Sequence, residues 1–445
     1  MNKTYRPYHP EQVLLLPPSL QEWLPENHLV YFISDTVDQL DLRAIEGKYE
    51  KSLVGYPPYH PRMMVKVLVY AYCVGVFSSR KIARKLEEDV AFRVLAAGNQ
   101  PDFRTISDFR KLHLGALGEL FREVVQLCRQ AGLAKLGHVA LDGTKQKANA
   151  SKHKAMSYGR MKEEADRLSA EIAELLAAAE RADAAEDAQF GKEVRGDELP
   201  AELAHRESRL AKIKQAIAEL EAEAKAAAPA EEEPAKRKRG RPQKQEPGVP
   251  PDKAQRNFTD PESRIMLGGD KSFIQGYNAQ AAVDQAQQVV VATMVSNQAA
   301  DAPHVPEMVA RIEENTGQVP AEMSLDAGYY SEANVAYLEQ QKQIDVYLPP
   351  CRLKHREYRE AQPGPVSEDS PTRERMKAKV LTTVGRAKYG LRKVTVEPVF
   401  GQIKRGLGFR QFSMRGRAAC EAEWSLVCTA HNLLKLYRYA AVARA

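Results

Sequence analysis

The first third of the chain shows the spacing of apolar residues that is typical of helices. An apolar stretch over residues 62–76 predicts a buried helix, and residues 79–89 predict a second helix that is basic and amphipathic. A start signal, Thr-Ile-Ser-Asp from Thr105, stands ahead of the long amphipathic run FRKLHLGALGELFREVVQLCRQ. Residues 1–135 are therefore predicted to form an all-helical N-terminal domain.

The basic helix of this domain carries a cluster of hydroxyl and cationic side chains. The cluster consists of Ser78, Ser79, Arg80, Lys81, Arg84 and Lys85. Short helices with tight connections are compatible with a helix-turn-helix reader of DNA. Basic amphipathic helices are also common as the solvated face of an ordinary bundle, and the segment alone favours that interpretation.

Apolar residues recur at heptad spacing in an Ala-, Glu-, Lys- and Arg-rich segment over residues 155–228. The first seam is Met161, Ala165, Leu168, Ile172 and Leu175, and the second is Leu203, Leu210, Ile213, Ile217 and Leu220. Gly191, Gly196 and Pro200 interrupt the two seams, which predicts an antiparallel helical hairpin of coiled-coil character. This insertion either contacts a partner or second subunit, or is a solvated spacer.

Residues 229–256 have the composition of a disordered linker. The string KRKRGRP over residues 236–242 looks like an AT-hook, which would place Arg239 and Arg241 in the narrow minor groove of A·T-rich DNA. A basic linker without this role explains the same residues equally well.

Strands and helices alternate on either side of the insertion and its linker. HVALDG is a short apolar strand that ends in Asp142 and a glycine turn. Beyond residue 257 the chain predicts a hairpin of two strands, a helix, a strand that ends on Asp326, a second helix and a further strand. This order resembles the ribonuclease H-like fold. The predicted class is therefore α/β, a mixed sheet with flanking helices, split between residues 136–154 and residues 257–445.

Composition and charge limit the classes of protein that fit. The five cysteines form no Cys-x-x-Cys pair, which argues against a disulfide framework and against structural zinc. No apolar run is long enough to cross a bilayer and the N-terminus lacks a signal peptide, so we expect no membrane contact and a cytoplasmic location. The net charge is only +6, but acids concentrate between Glu163 and Glu233 and leave both ends basic. A phosphate backbone responds to such local fields.

Glu397 is the one acid in a strongly basic stretch. Between Arg386 and Arg417 the chain carries nine Lys or Arg residues and this single carboxylate. A lone acid there is either an accident of composition or the group that holds a divalent cation beside a polyanion. The second interpretation predicts a nucleic-acid enzyme and requires further carboxylates, for which Asp142 and Asp326 are candidates.

Both aspartates also have ordinary structural explanations. Asp142 precedes Gly143, and Asp-Gly is a strong turn signal. Asp326 can cap the helix predicted from Ser331, or it can stabilise its own turn. Three carboxylates gathered at one sheet edge would suit Mg²⁺ (or Mn²⁺), which prefers oxygen ligands and supports in-line displacement at phosphorus.

Pro398 predicts that a helix begins at Glu397, because proline is tolerated in the first helical turn. Val399 and Ile403 would then face the core, while Glu397 and Lys404 would share another face. In this arrangement Lys404 supplies a phosphate contact near the carboxylate.

Several strings, in order, resemble the DDE transposases encoded by bacterial insertion sequences. They are LDGTKQKANASKHK, NFTDPESRIM, GYNAQAAVD, LDAGYYSEAN, TVEPVFGQIKRGLGFRQFSMRGR and EWSLVCTAHNLLKL, and YPPYHPRMMVKVLVYAYCVGVFSSRKIARKL resembles the N-terminal domain of that group. The similarity spans nearly the whole chain except the insertion and its linker. It implies that Asp142, Asp326 and Glu397 are the catalytic, metal-binding acids, and that residues 1–135 bind DNA.

The family's tyrosine, arginine, glutamate and lysine signature falls on Tyr389, Arg392, Glu397 and Lys404. Arg392 lies one residue further from the glutamate than in the usual pattern, and Lys393 stands at the usual distance. Either cation can therefore contact the phosphates of the transposon end, and Arg405, beside Lys404, is counted with these DNA contacts.

Residues that follow the first two acids are further candidates for DNA contact. Lys145 and Lys147 would attract the DNA backbone through counterion release, or they belong to a solvated loop. Tyr329 and Tyr330 would stack on an unpaired base, or they pack against the sheet.

The resemblance implies a transposase that binds the terminal inverted repeats of its element and catalyses metal-dependent cleavage and strand transfer. Its expected partners are double-stranded DNA, at the transposon ends and the target, and a second copy of the chain once DNA is bound. The expected location is the nucleoid of the bacterial cytoplasm. Two alternatives stay open, a ribonuclease H-like nuclease or resolvase without strand transfer, and a catalytically silent, transposase-derived DNA-binding protein.

Overall fold

The structure of the 445-residue chain is a computed structural model. It describes residues 19–49, 57–151, 154–190, 201–227, 248–269, 271–352 and 370–444. The AT-hook-like string with Arg239 and Arg241 lies outside these residues. None of the helices in the described ranges is both long enough and apolar enough to cross a membrane.

Helices alone make up the described N-terminal region before the first strand. They are α1 Leu29–Gln39, α2 Arg43–Glu46, α3 Pro61–Cys73, α4 Ser79–Glu88, α5 Val90–Leu95, α6 Phe103–Leu112 and α7 Leu114–Gln130. The predicted apolar helix is α3, which begins with Pro61 in its first turn and is buried along most of its length. The predicted basic helix is α4, which buries only Ser79, Ile82 and Leu86.

A mixed sheet forms the second layer. Its strands are β1 His138–Lys147, β4 Arg264–Leu267, β5 Phe273–Asp284, β6 Val290–Ser296, β7 Glu322–Leu325 and β8 Asp345–Tyr347, in the order β4-β5-β1-β7-β8 with β6 also paired to β5. Strand β1 is antiparallel to β5 and parallel to β7, and β7 is parallel to β8. The helices around it are α10 Val305–Thr316, α11 Glu332–Ala336, α12 Thr372–Leu381, α13 Thr383–Gly390, α14 Arg392–Gly401 and α15 Arg417–Arg444. The predicted α/β class, with its helical N-terminal region and ribonuclease H-like mixed sheet, is confirmed.

The predicted glycine turn after Asp142 is wrong. Strand β1 continues through Gly143 to Lys147, because the long strand β5 pairs with it residue for residue as far as Gly276. A β-carbon on Gly143 would lie 2.4 Å from Nε2 of Gln280 and 2.9 Å from Oδ1 of Asn278. Gly143 is therefore needed for the close approach of neighbouring side chains, and Asp142 lies within a strand rather than at its end.

The insertion folds as two long helices, of which the first begins, and the second ends, next to a short pair of strands. Helix α8 spans Tyr158–Phe190 and helix α9 spans Ala201–Ala227, while the short strands β2 Ala155–Ser157 and β3 Gln255–Asn257 pair at their base. The predicted seams face each other, with Met161, Leu168, Ile213 and Leu220 all buried in one cluster. Ion pairs Glu164–Arg209 and Glu171–Arg206 connect the helices in an antiparallel sense.

One hydrophobic core joins the N-terminal helices to the sheet through α15. Gly75, which has a φ of +76°, lets the chain pass so close to the carbonyl of Leu407 that a β-carbon would lie 2.5 Å from that oxygen. The rings of Phe77 and Phe409 pack edge to face at 5.0 Å nearby. The helical region is thus packed firmly against the domain that carries the three candidate acids.

Candidate active site

Asp142 is a largely buried carboxylate in the middle of β1. Its Oδ1 accepts a hydrogen bond of 2.8 Å from the Gly143 amide, and its Oδ2 accepts one of 2.8 Å from Nη2 of Arg392. The pKa of Asp142 is raised to about 6, chiefly by burial and also by the nearby charge of Asp326, while the Arg392 guanidinium acts in the opposite direction. Burial and the neighbouring acid both disfavour the ionised form of Asp142, and a nearby cation stabilises that form.

Asp326 follows the neighbouring parallel strand β7. Its Oδ1 accepts a hydrogen bond of 2.9 Å from the Gly328 amide, so the predicted stabilisation of its own turn is confirmed. Ser331, and not Asp326, caps the following helix α11. Leu141 and Leu325, the residues just before the two acids, are partners across β1 and β7, so the carboxylates are neighbours and Asp326 raises the pKa of Asp142. This closeness follows from the pairing of β1 with β7.

Glu397 lies in the body of α14 and not at its start. The helix begins at Arg392, and Pro398 stands inside it. Proline removes the amide that would hydrogen-bond to the carbonyl of Val394, and Nε2 of Gln288 donates to that carbonyl instead, at 2.8 Å. The predicted start at Glu397 is therefore wrong, and the predicted burial of Val399 and Ile403 is confirmed.

The three acids line one cleft. Its volume is about 740 Å³, and Asp142, Asp326, Ala327, Gly328, Arg352, Tyr389, Gly390, Arg392, Lys393 and Glu397 form its walls. Glu397 is exposed on the wall, whereas Asp142 is 17% exposed and paired to Arg392. An open cleft with both carboxylates and cations on its walls can receive a phosphodiester.

Arg392 and Lys393 have different environments in this cleft. The Arg392 guanidinium is largely buried, bonds to Asp142 and lies over the ring of Tyr389 with 5.7 Å between its Cζ and the ring centroid. Lys393 is exposed on the wall of the cleft. Arg392 therefore positions the first acid, and Lys393 is the cation that solvent and an incoming phosphate can reach.

Four other cations predicted to contact DNA lie on or next to β1. The ammonium of Lys404 donates to Oγ1 of Thr144, which is on the same face of β1 as Asp142. The ammonium of Lys145 bonds to Asp301 at 3.1 Å and to the carbonyl of Ala299 at 2.8 Å. Lys147, at the end of β1, and Arg405, just beyond α14, are both exposed.

Asp301 belongs to this neighbourhood and was missed in the sequence. It follows β6, and its Oδ1 accepts hydrogen bonds from Asn278, Gln280 and Lys145 at 2.7, 2.9 and 3.1 Å. Its Oδ2 lies 3.4 Å from the position that a β-carbon on Gly328 would take. An acid in the loop after a predicted strand was the available signal, but no motif marked it.

Tyr329 packs within the protein. Its side chain is fully buried, and its hydroxyl donates to Oε1 of Gln280 on β5. Stacking on an unpaired base is therefore excluded for Tyr329, because its ring is inside the core below the cleft. Tyr330 is only partly buried.

The donor set of the cleft fits a hard divalent cation. Carboxylate oxygens are the ligands that such ions prefer, and one or two carboxylates suffice when phosphate oxygens complete the shell. Asp142 and Asp326 meet this need as neighbours. Within the described residues, no three His, Cys, Asp or Glu side chains lie close enough together to hold one ion, so Glu397 lines the cleft without joining the two aspartates.

The raised pKa of Asp142 makes a prediction about stability. A carboxyl with a folded pKa of about 6 and an unfolded value near 3.8 binds its proton more tightly in the folded protein. Its contribution to stability is thus present at low pH and is lost as the pH rises through about 6. Relative to Asp142→Asn, the wild type should be about 1 kcal/mol more stable at pH 5 than at pH 7.5.

Urea unfolding of both proteins, with a chelator present, gives the difference in unfolding free energy between wild type and Asp142→Asn at each pH. The Asn variant removes the titration of this one site and leaves the other acids in place. A constant offset between the two proteins across this pH range would contradict the assigned burial of Asp142.

Comparison with protein families defines the class. The transposase DDE domain matches residues 250–433, and a second family described as a transposase domain (DUF772) matches residues 18–112. Together the two matches cover more than half of the chain. No curated protein and no solved structure gives a match.

The chain belongs to the DDE transposases of the insertion-sequence type. Its class is therefore that of enzymes that act on DNA and that use divalent metal ions. The matched DDE segment contains Asp326 and Glu397. Asp142 lies outside it on β1, which the structure inserts between strands β5 and β7 of that segment.

Proposed function

We propose that this protein binds the terminal inverted repeats of its own element, cleaves the DNA there and joins the freed 3′-hydroxyls to a target duplex. Asp142, Asp326 and Glu397 are the proposed catalytic and metal-binding residues. The observation that carries the proposal is their presence on the walls of a single cleft, together with Arg392 and Lys393. DNA is the substrate of the family, and the cleft has the charges that a phosphodiester requires.

Mg²⁺, or Mn²⁺ in its place, is the proposed cofactor, held by Asp142 and Asp326 with Glu397 approaching from α14. Such ions lower the pKa of an attacking water or 3′-hydroxyl and stabilise the leaving oxygen. The protein prepares the site for this chemistry. Arg392 fixes the orientation of Asp142, and the turn at Gly328 fixes that of Asp326.

The proposed DNA contacts surround these acids. Lys393 and Lys404 hold phosphates beside the reacting group, while Tyr389 supports Arg392. Further contacts along the duplex come from exposed basic residues, namely Lys147, Arg405, Arg239 and Arg241. Lys145 neutralises Asp301 and acts on DNA only through its charge.

The N-terminal helices are the proposed readers of the transposon end, since a transposase family matches them and their helix α4 is basic and exposed along one face. Two ends have to be held together for joining. We therefore propose that the protein dimerises on DNA and works at the bacterial nucleoid.

Cleavage of an end-bearing duplex tests the proposal. A labelled duplex is incubated with the protein and Mg²⁺. The duplex contains one terminal inverted repeat of the element and the host DNA that adjoins it. The expected result is a cut at the junction that leaves a 3′-hydroxyl and that chelator prevents. Binding of the same duplex in a gel-shift assay without any metal-dependent cut would instead support the catalytically silent alternative.

A further inference from the structure

A basic groove lies between helix α9 of the insertion and the segments around the short strands β2 and β3, apart from the cleft of the three acids. Its volume is about 500 Å³. The walls are formed by Lys154, Ala155, Met156, His205, Ser208, Arg209, Lys212, Ile213, Phe258 and Thr259. One wall therefore belongs to the insertion and the other to the segments around β2 and β3.

The charges of this groove come from one face of α9 and from Lys154 on the opposite wall. His205, Arg209 and Lys212 are spaced so that they lie above one another on a helix, and all three are exposed. Lys154, which is also exposed, faces them from the other wall. Glu164 holds the Arg209 guanidinium at 2.8 Å, so Lys154 and Lys212 carry most of the available positive charge. None of the described residues that line the groove is acidic.

Three of the five acids of α9, Glu219, Glu221 and Glu223, lie in its second half, where they anchor the hairpin. Glu223 pairs with Arg256 at 2.6 Å and with Arg264 at 2.9 Å, and Glu221 accepts a hydrogen bond of 2.6 Å from the hydroxyl of Tyr158. The first half of α9 has four Lys or Arg residues against two acids, so its net charge is positive. Because the contacts fix the hairpin to β3 and β4, the two walls of the groove are held at a defined separation.

We propose that this groove binds the phosphate backbone of duplex DNA beyond the cleaved junction, an inference that rests on the proposed function. Ammonium groups on both walls match a polyanion. Ser208 and Thr259 add hydroxyl donors of the kind that contact phosphate oxygens. Lys154 also follows β1, the strand of Asp142, by a short connection, so a duplex held here is linked directly to the strand that carries the first acid. The insertion is therefore a DNA clamp and not a spacer.

Charge reversal inside the groove, compared with charge reversal on the opposite face of α9, tests the proposal. The variant Lys154→Glu/Lys212→Glu reverses both groove lysines, and Lys214→Glu/Lys225→Glu makes the same change of net charge on the other face of the helix. Binding of a mixed-sequence duplex of about 40 base pairs is measured against salt concentration. The groove variant should lower the slope of log affinity against log salt by about 1.8 and weaken low-salt binding by about tenfold, whereas the matched control stays within about twofold of wild type.

The possible results separate the two proposals. Equal effects of the two double variants, or no effect of either, would overturn the groove while the wild type still binds DNA. A groove variant that binds DNA normally but changes its oligomeric state would assign the groove to a second copy of the chain instead. Failure of the wild type to bind duplex DNA would refute the proposed function itself. The pair Lys154→Ala/Lys212→Ala, with circular dichroism as a folding check, guards against an unfolded charge-reversal variant.

Discussion

Replacing Asp326 with Asn is expected to abolish cleavage of an end-bearing duplex and to leave DNA binding intact. The amide keeps the oxygen that accepts the Gly328 amide hydrogen bond, so the turn after β7 is preserved. It loses the negative charge that a divalent cation needs. Loss of several kcal/mol of transition-state stabilisation corresponds to a fall of about 10³-fold or more in the cleavage rate.

The matched control is Glu332→Gln, which neutralises an exposed acid in the first turn of α11. It should cleave at the wild-type rate. Single-turnover cleavage and gel shift, measured on the same preparations, separate chemistry from binding. Metal-dependent cleavage by Asp326→Asn at a rate near that of wild type would remove Asp326 from the site.

Replacing Glu423 with Ala is expected to cost about 3–5 kcal/mol of unfolding free energy, because it leaves a buried cation without its counter-charge. The Glu423 carboxylate is completely buried in α15 and lies 3.9 Å from the guanidinium of Arg110 in α6. It also accepts hydrogen bonds from the amides of Ser413 and Met414, at 2.8 and 3.1 Å, and from the hydroxyl of Tyr72 at 3.1 Å. This network ties the N-terminal helices to the domain with the acids.

Glu421→Ala is the control on the same helix. Its carboxylate pairs with Arg311, and the pair is partly exposed, with 22% of the glutamate and 30% of the arginine side chain accessible. Arg311 keeps Glu307 as a second partner at 2.7 Å, so we expect a loss of about 1 kcal/mol or less. Urea unfolding compares the two variants. If Glu423→Ala unfolds within 1 kcal/mol of Glu421→Ala, then the packing of the helical region against α15 does not stabilise the fold in the way we infer.

Local patterns were sufficient to predict the order of strands and helices along this part of the chain. Strands β6, β7 and β8 lie in short apolar segments bounded by polar residues, so the ribonuclease H-like succession of elements could be recognised without tertiary information. The position of Asp326 after β7 was predictable for the same reason. What the patterns could not give was the length of β1, because the distant strand β5 decides it.

The same limit applies to Glu397 and to Asp301. Proline in a helix is normally costly, and the hydrogen bond that makes Pro398 acceptable comes from Gln288, more than a hundred residues earlier in the chain. The hydrogen-bond partners of Asp301 are Lys145 on β1 and Asn278 and Gln280 on β5, all of which are distant from it in sequence or separated from it by the fold. Local sequence patterns do not predict such tertiary contacts.

The basic residues around Glu397 have different partners in the folded protein. Arg392 neutralises Asp142, Lys404 bonds to Thr144 on the same strand, and Lys393 faces the open cleft. The surplus of positive charge thus serves the buried acid and an incoming phosphate together. This division also explains why Arg392 and Lys393 are not interchangeable.

Strand transfer distinguishes a transposase from a nuclease, because both enzymes cleave DNA. The protein is incubated with Mg²⁺, a target plasmid and a pre-cut end duplex that is labelled on the strand with the reactive 3′-hydroxyl. We expect the label to become joined to the plasmid, and we expect a terminal 3′-deoxy nucleotide on the donor, or the Asp326→Asn variant, to prevent the joining. Metal-dependent hydrolysis of the DNA with no joined product would refute the proposed transposase activity and would identify the protein as a nuclease.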